Sequence, residues 1–169
     1  MTNNILTIDF LKEALHYDEL TGSFTWRIYR NQIAYPGKIA GCKNSNGYIE
    51  LTLCGRRIKC HRLAWFYVHG DWPNGEIDHI NCIRDDNRIV NLRVATRTEN
   101  VANTKLLVTN TSGFKGIYFD KRRLERKWLA KISINNKTKF IGYFLTAKEA
   151  HDAYVKKAKE VHGDFFRAA

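Results

Sequence analysis

Apolar residues Ile8, Leu11 and Leu15 fall at helical spacing and predict a short N-terminal helix that runs into the turn residues Asp18-Glu19-Leu20-Thr21-Gly22. A strand is predicted next, with Phe24, Trp26 and Ile28 alternating against Thr25 and Arg27. Gly37, Gly41 and Gly47 make the following stretch loop-rich. Alternation resumes at Ile49, Leu51 and Leu53, and after Cys54-Gly55-Arg56 the run from Arg57 to Cys60 can pair back as a hairpin. From His61 to His69 the density of Leu63, Ala64, Phe66 and Tyr67 predicts a helix that stops at Gly70.

Residues 76–103 are polar but punctuated by Ile77, Ile80, Ile89, Leu92 and Val94, which predicts short strands around a functional loop. Thr96 with Glu99 has the form of a capping box, placing Asn100 in the first turn of a helix. Residues 106–112 carry no period and read as a linker. Beyond it, strands are predicted near Lys115 to Phe119, Arg126 to Ile134 and Lys137 to Phe144, with Asn135-Asn136 as a two-residue turn. A last helix opens at Thr146 with Glu149, buries Ala147, Ala150, Tyr154, Ala158 and Val161, and stops at Gly163. The chain therefore reads as α+β: a β-rich N-terminal unit over residues 1–55, a central unit over 56–105, and a three-stranded sheet packed on one helix over 113–169.

Composition sharpens the picture. The 169 residues are 44% hydrophobic and 12% aromatic, enough to close a small core, so a disordered basic tail is excluded. No apolar run approaches the roughly 20 residues that span a bilayer, and the N-terminus lacks a signal-peptide pattern, so a soluble, unexported protein is expected. Four cysteines, Cys42, Cys54, Cys60 and Cys82, lack zinc-knuckle spacing and read as reduced core thiols. The net charge of +11 calls for an anionic partner. Ten Lys and Arg fall between Lys105 and Lys139 against only Asp120 and Glu125, interleaved with Tyr118, Phe119, Trp128 and Phe140. Cations and aromatics on strands backed by a helix suit the major groove of double-stranded DNA.

Cutting a phosphodiester needs a base to deprotonate water and a cation to hold the phosphate. Histidine suits the first task and oxygen ligands for Mg²⁺ the second. Asp78-His79 supplies both types, although neighbours on a strand point to opposite faces, so one site is served only from a bend or a turn. Asn81, Asp85, Asp86 and Asn87 fit either extra ligands or simple loop formers, and no role is assigned to them. His61 divides equally between a packed histidine and a site residue.

The set Ile77-Asp78-His79-Ile80-Asn81, Asn91-Leu92-Arg93 twelve residues past the histidine, and Glu99-Asn100 nine beyond that resembles the HNH endonucleases, most closely the phage homing branch. His61-Arg62-Leu63-Ala64 is similar to the run that precedes that motif. The resemblance implies a ββα-metal fold in which Asp78 and Asn100 bind a metal, His79 activates water, and Asn91 holds the loop and orients His79. Many HNH enzymes end the motif in histidine; Asn100 here favours Mg²⁺, or Mn²⁺ in its place, over zinc or nickel.

Ser112-Gly113-Phe114-Lys115-Gly116-Ile117, Trp128-Leu129-Ala130-Lys131-Ile132, Ile141-Gly142-Tyr143-Phe144 and the helix from Ala147 to Tyr154 resemble the Apetala-type, ethylene-response-factor DNA-binding domain. That resemblance implies DNA contacts from Lys115, Tyr118, Trp128, Lys131 and Lys139, and the basic run adds Arg122, Arg123, Lys127 and Lys137 to the expected contacts. Only Trp128 keeps that family's usual base-contacting residue type, so no target sequence carries over. Arg27, Arg30, Lys38, Lys43, Arg56, Arg57 and Lys59, with Trp26, Tyr29, Tyr35 and Tyr48, form either a second DNA surface or a packed unit in which Phe24 and Trp26 are core. The expected function is a phage homing endonuclease in the cytoplasm of a bacterial host, needing no protein partner. A non-catalytic DNA-binding regulator is the alternative, and RNA binding a third.

Overall fold

The computed structural model describes residues 6–106, 109–134 and 137–167. They form α1 (Ile8–Ala14), β1 (Leu15–Asp18), β2 (Ser23–Trp26), β3 (Ile39–Ala40), β4 (Cys42–Lys43), β5 (Ile49–Leu53), β6 (Arg56–Lys59), α2 (Cys60–His69), β7 (Glu76–His79), β8 (Leu92–Ala95), α3 (Arg97–Ala102), β9 (Ile117–Phe119), β10 (Trp128–Ile134), β11 (Lys137–Phe144) and α4 (Ala147–His162). The chain divides into two compact units, residues 1–94 and 95–169. Among the described residues no helix is long and apolar enough to cross a membrane.

The first unit has sheets ordered β1-β2-β3, β4-β5-β6 and β7-β8. The N-terminal helix is shorter than its spacing predicts. It ends at Ala14, and Leu15 opens β1, whose Leu15 and Tyr17 are buried while His16 is exposed. Leu15 satisfies the helical and the two-residue period at once, and pairing with β2, Leu15 opposite Trp26, decides for the strand. The helix predicted over 61–69 is α2, ended by Gly70 in the left-handed region. Its buried residues are Cys60, His61, Leu63, Ala64 and Phe66.

One buried cluster runs from Leu11, Leu15 and Phe24 through Leu51 and Leu63 to Ile77 and Leu92. The segment expected as a separate N-terminal unit thus shares its core with α2 and β7, and Phe24 and Trp26 are core side chains, 1% and 6% exposed. Gly22 makes the join close. Its φ is +73°, and a Cβ there would collide with the Asn87 and Arg88 backbone.

In the second unit the sheet is β11-β10-β9, antiparallel throughout, with α4 packed on it. Ile117, Ala130 and Ala150 are its buried centre, with Phe114, Trp128, Ile141, Phe144 and Tyr154 against them. The Thr146 hydroxyl caps α4 by accepting from the Glu149 N–H at 3.1 Å, as its sequence predicts. The turn predicted at Asn135-Asn136, and part of the linker expected over 106–112, lie outside the described residues.

Candidate active site and nucleic-acid surface

β7 ends at His79, and the three residues Ile77, Asp78 and His79 are all buried, rather than alternating. The two polar side chains go to different partners, as adjacent positions on a strand require. Asp78 Oδ2 accepts from Arg93 Nε of β8 at 2.8 Å. His79 Nε2 donates to Asn87 Oδ1 at 3.2 Å, which leaves Nδ1 as the ring's basic nitrogen. Burial lowers the His79 pKa from its ordinary range, more than the Asn87 bond and the Asp78 charge restore it.

The loop after His79 is organised by Asn91. Its amide Nδ2 donates to Asn81 Oδ1 at 3.0 Å and the Asp86 carbonyl at 2.8 Å, and its Oδ1 accepts from the Asn81 N–H at 3.0 Å. The Asn91 carbonyl accepts from the Ile80 N–H at 2.9 Å, one residue past His79. Asn91 therefore holds the loop, while the bond to the His79 ring comes from Asn87.

Asn87 is 2% exposed, and its carbonyl accepts from the buried Tyr17 hydroxyl at 2.7 Å. A chain of support runs from β1 through Asn87 to the imidazole. Composition hides it, because Asn87 sits in a run of loop-forming residues and Tyr17 lies 70 positions away. Asp86 accepts from Arg88 Nε at 2.8 Å and from Asn81 Nδ2 at 2.6 Å, and these bonds, Arg88 first, hold its carboxyl down at about 2.

His61, on the first turn of α2, meets His79 edge to face at 5.0 Å between ring centres. Tyr48 lies 5.3 Å from His61 and 6.0 Å from His79. His61 is 5% exposed, its Nδ1 is buried without a hydrogen-bond partner, and burial pushes its pKa down to about 3. Among the described residues, no three His, Cys, Asp or Glu side chains gather as a metal-ligand group.

Asn100 belongs to the second unit, on α3. Thr96 and Glu99 form the predicted capping box, and the Asn100 N–H donates to the Thr96 carbonyl at 3.0 Å. The order strand β7, strand β8, helix α3 spans the motif.

Residues 59–102 match the HNH endonuclease family. The HNH segment is about a quarter of the chain and includes Asp78, His79, Asn91 and Asn100. Comparisons with curated proteins and with solved structures gave no match.

Beyond the HNH segment, paired residues of an antiparallel ladder share a face. Ala130 opposes Ile117 and Gly142 on the face under α4, and Trp128, two residues before Ala130, packs with them. Lys115 Nζ donates to the Ala102 and Arg167 carbonyls at 3.2 and 2.8 Å. Two of the residues expected to contact DNA are thus half-buried and engaged within the unit, Trp128 in packing and Lys115 in bracing. The other face carries Tyr118 and Tyr143 opposite Leu129, then Lys131 opposite Phe140. Tyr118 and Phe140 are 57% and 60% exposed. Arg123 stacks 3.7 Å from the Tyr143 ring, and Lys131 Nζ lies 6.0 Å from Tyr118. Arg122 is fully exposed and paired with Asp120 at 2.9 Å; Lys127 is half-buried, while Lys137 and Lys139 are exposed.

Proposed function

We propose that the protein is a metal-dependent endonuclease that hydrolyses phosphodiester bonds at a specific site in duplex DNA, of the homing type carried by phages and acting in the host cytoplasm. The observation that carries this reading is His79: a buried imidazole anchored through Nε2 to Asn87, next in sequence to a carboxylate, within the HNH segment. His79 Nδ1 takes the proton of the attacking water, Asn87 fixes the ring plane, and Asn91 keeps the loop from collapsing onto it.

Asp78 would hold Mg²⁺, with Mn²⁺ able to replace it, and Asn100 enters as a second oxygen donor on its sequence spacing. A carboxylate and an amide carbonyl are hard donors suited to these ions, and the Arg93 bond to Oδ2 fixes how the carboxylate is turned. When bound, the ion polarises the phosphate and stabilises charge on the leaving oxygen. Duplex DNA would lie on the open face of the C-terminal sheet, an Apetala-like unit, with Lys131, Arg123, Lys137 and Lys139 neutralising phosphates and Tyr118, Tyr143 and Phe140 offering rings.

One observation favours a second reading, a non-catalytic DNA-binding regulator: Arg93 already neutralises Asp78 at 2.8 Å. A plasmid-library cleavage assay with mapped ends, run with Mg²⁺, Mn²⁺ or EDTA, separates the two. The endonuclease gives discrete ends only with metal; the regulator shifts DNA in a gel and leaves it uncut with every metal.

A further inference from the structure

Beside His79 the first unit carries cations that neither the HNH motif nor the C-terminal sheet accounts for. The Tyr48 ring, 6.0 Å from His79, has Lys59 Nζ at 4.5 Å and the Arg84 guanidinium at 5.2 Å. Both cations are exposed, and among the described residues neither forms an ion pair. Glu50 stands opposite Lys59 in the β5-β6 ladder without pairing to it. The acids next to Arg84 in sequence are engaged elsewhere, Asp85 with Lys43 at 2.8 Å and Asp86 with Arg88.

The platform is built rather than incidental. Asn44 Oδ1 accepts from the N–H groups of Asn46 and Tyr48 at 2.9 and 3.0 Å, shaping the β4-β5 turn. Arg84 Nη1 donates to the Asn46 carbonyl at 2.9 Å, and Lys43 reaches Asp85, so the turn is pinned twice to the loop that follows His79. One neutral ring thus gathers two exposed like charges beside the site loop, a concentration of positive charge that anions placed against it relieve.

We propose that Lys59 and Arg84, gathered by Tyr48, each bind one backbone phosphate of the DNA strand presented to His79. The inference rests on the endonuclease reading and adds the point at which the first unit grips its substrate. Tyr48, Lys59 and Arg84 are positioning residues; the proton chemistry belongs to His79. Lys59 reads as a phosphate contact only when its charge is placed against the site loop, because β6 by itself resembles any exposed basic strand.

The test is binding of a labelled duplex in EDTA across a salt series, so that no cleavage enters the readout. Lys59→Gln and Arg84→Gln are each expected to lower the slope of log affinity against log salt by about one, the loss of one phosphate contact. Arg84→Lys keeps the charge and restores the slope. Tyr48→Phe, which keeps the ring, binds as the parent does, whereas Tyr48→Leu weakens binding about fivefold. Thermal melting of each variant reports that it is folded. Parent slopes in folded Lys59→Gln and Arg84→Gln overturn the proposal. A parent protein that shows these slopes yet never cuts DNA with Mg²⁺ or Mn²⁺ removes the endonuclease reading and leaves the phosphate contact standing. A parent protein without affinity for duplex DNA removes both.

Discussion

Asn87→Ala isolates the contribution of a single acceptor to the candidate base. The side chain is 2% exposed and its Oδ1 accepts a hydrogen bond from the His79 Nε2–H at 3.2 Å. Removing a buried hydrogen bond of this kind costs about 1–3 kcal/mol, and each 1.4 kcal/mol is about tenfold in rate. The imidazole gains freedom to rotate away from the attacking water, so cleavage is expected to fall about 10- to 100-fold. Affinity is expected to hold, since Asn87 is sealed from solvent and presents nothing to DNA. The assay is single-turnover nicking of supercoiled DNA with Mg²⁺, read beside a duplex-binding titration and a melting curve. Asn87→Asp, which keeps an acceptor at the same place, is expected to recover much of the rate. Parent-rate cleavage by folded Asn87→Ala refutes the reasoning that this acceptor sets the ring. A loss of binding equal to the loss of rate refutes it as well, because the effect would then be on substrate capture.

Three further outcomes are expected. His61 has its folded pKa depressed to about 3, so its neutral form contributes fully above the unfolded value near 6.5, and that contribution is lost as pH falls between the two. Going from pH 6.5 to 5 is expected to cost about 2 kcal/mol, and urea melts of His61→Phe should lack that part of the pH dependence. Asn91→Ala removes three side-chain hydrogen bonds of 2.8–3.0 Å and is expected to lower stability by about 3 kcal/mol in the same melts. In the second unit, Lys131→Gln is expected to weaken duplex binding at constant melting temperature, whereas Trp128→Ala lowers the melting temperature by loss of packing worth about 3 kcal/mol. The reverse pattern would put Trp128 on the DNA side.

Local signals were legible where a side chain acts on its own turn of chain. Thr96 with Glu99 and Thr146 with Glu149 announced α3 and α4, because an N-cap needs only a hydroxyl and the next few residues. Leu15 misled, since one apolar position serves two periods and only the partner strand chooses. Trp128, Ala130 and Ile132 alternate as one apolar face, which sets the indole against the core, although the charged residues around it suggest an outward role. Asp78, His79 and Asn91 were singled out by their spacing. Asn87 and Tyr17 carry no such signal and His61 divides between packing and a site role, because what they do comes from tertiary neighbours eight, seventy and eighteen positions away. Asn87 shows the difficulty most clearly, as asparagine in a polar run is explained by turn formation until its partner is known.

The central claim is that the His79 imidazole is the base for phosphodiester hydrolysis, and His79→Ala tests it most directly. Purified parent and variant are compared for nicking of supercoiled DNA with Mg²⁺ at equal bound fraction. The account expects the parent to cut and the folded variant to bind equally well while cutting at least a hundredfold more slowly. Nicking by the variant at the parent rate contradicts it.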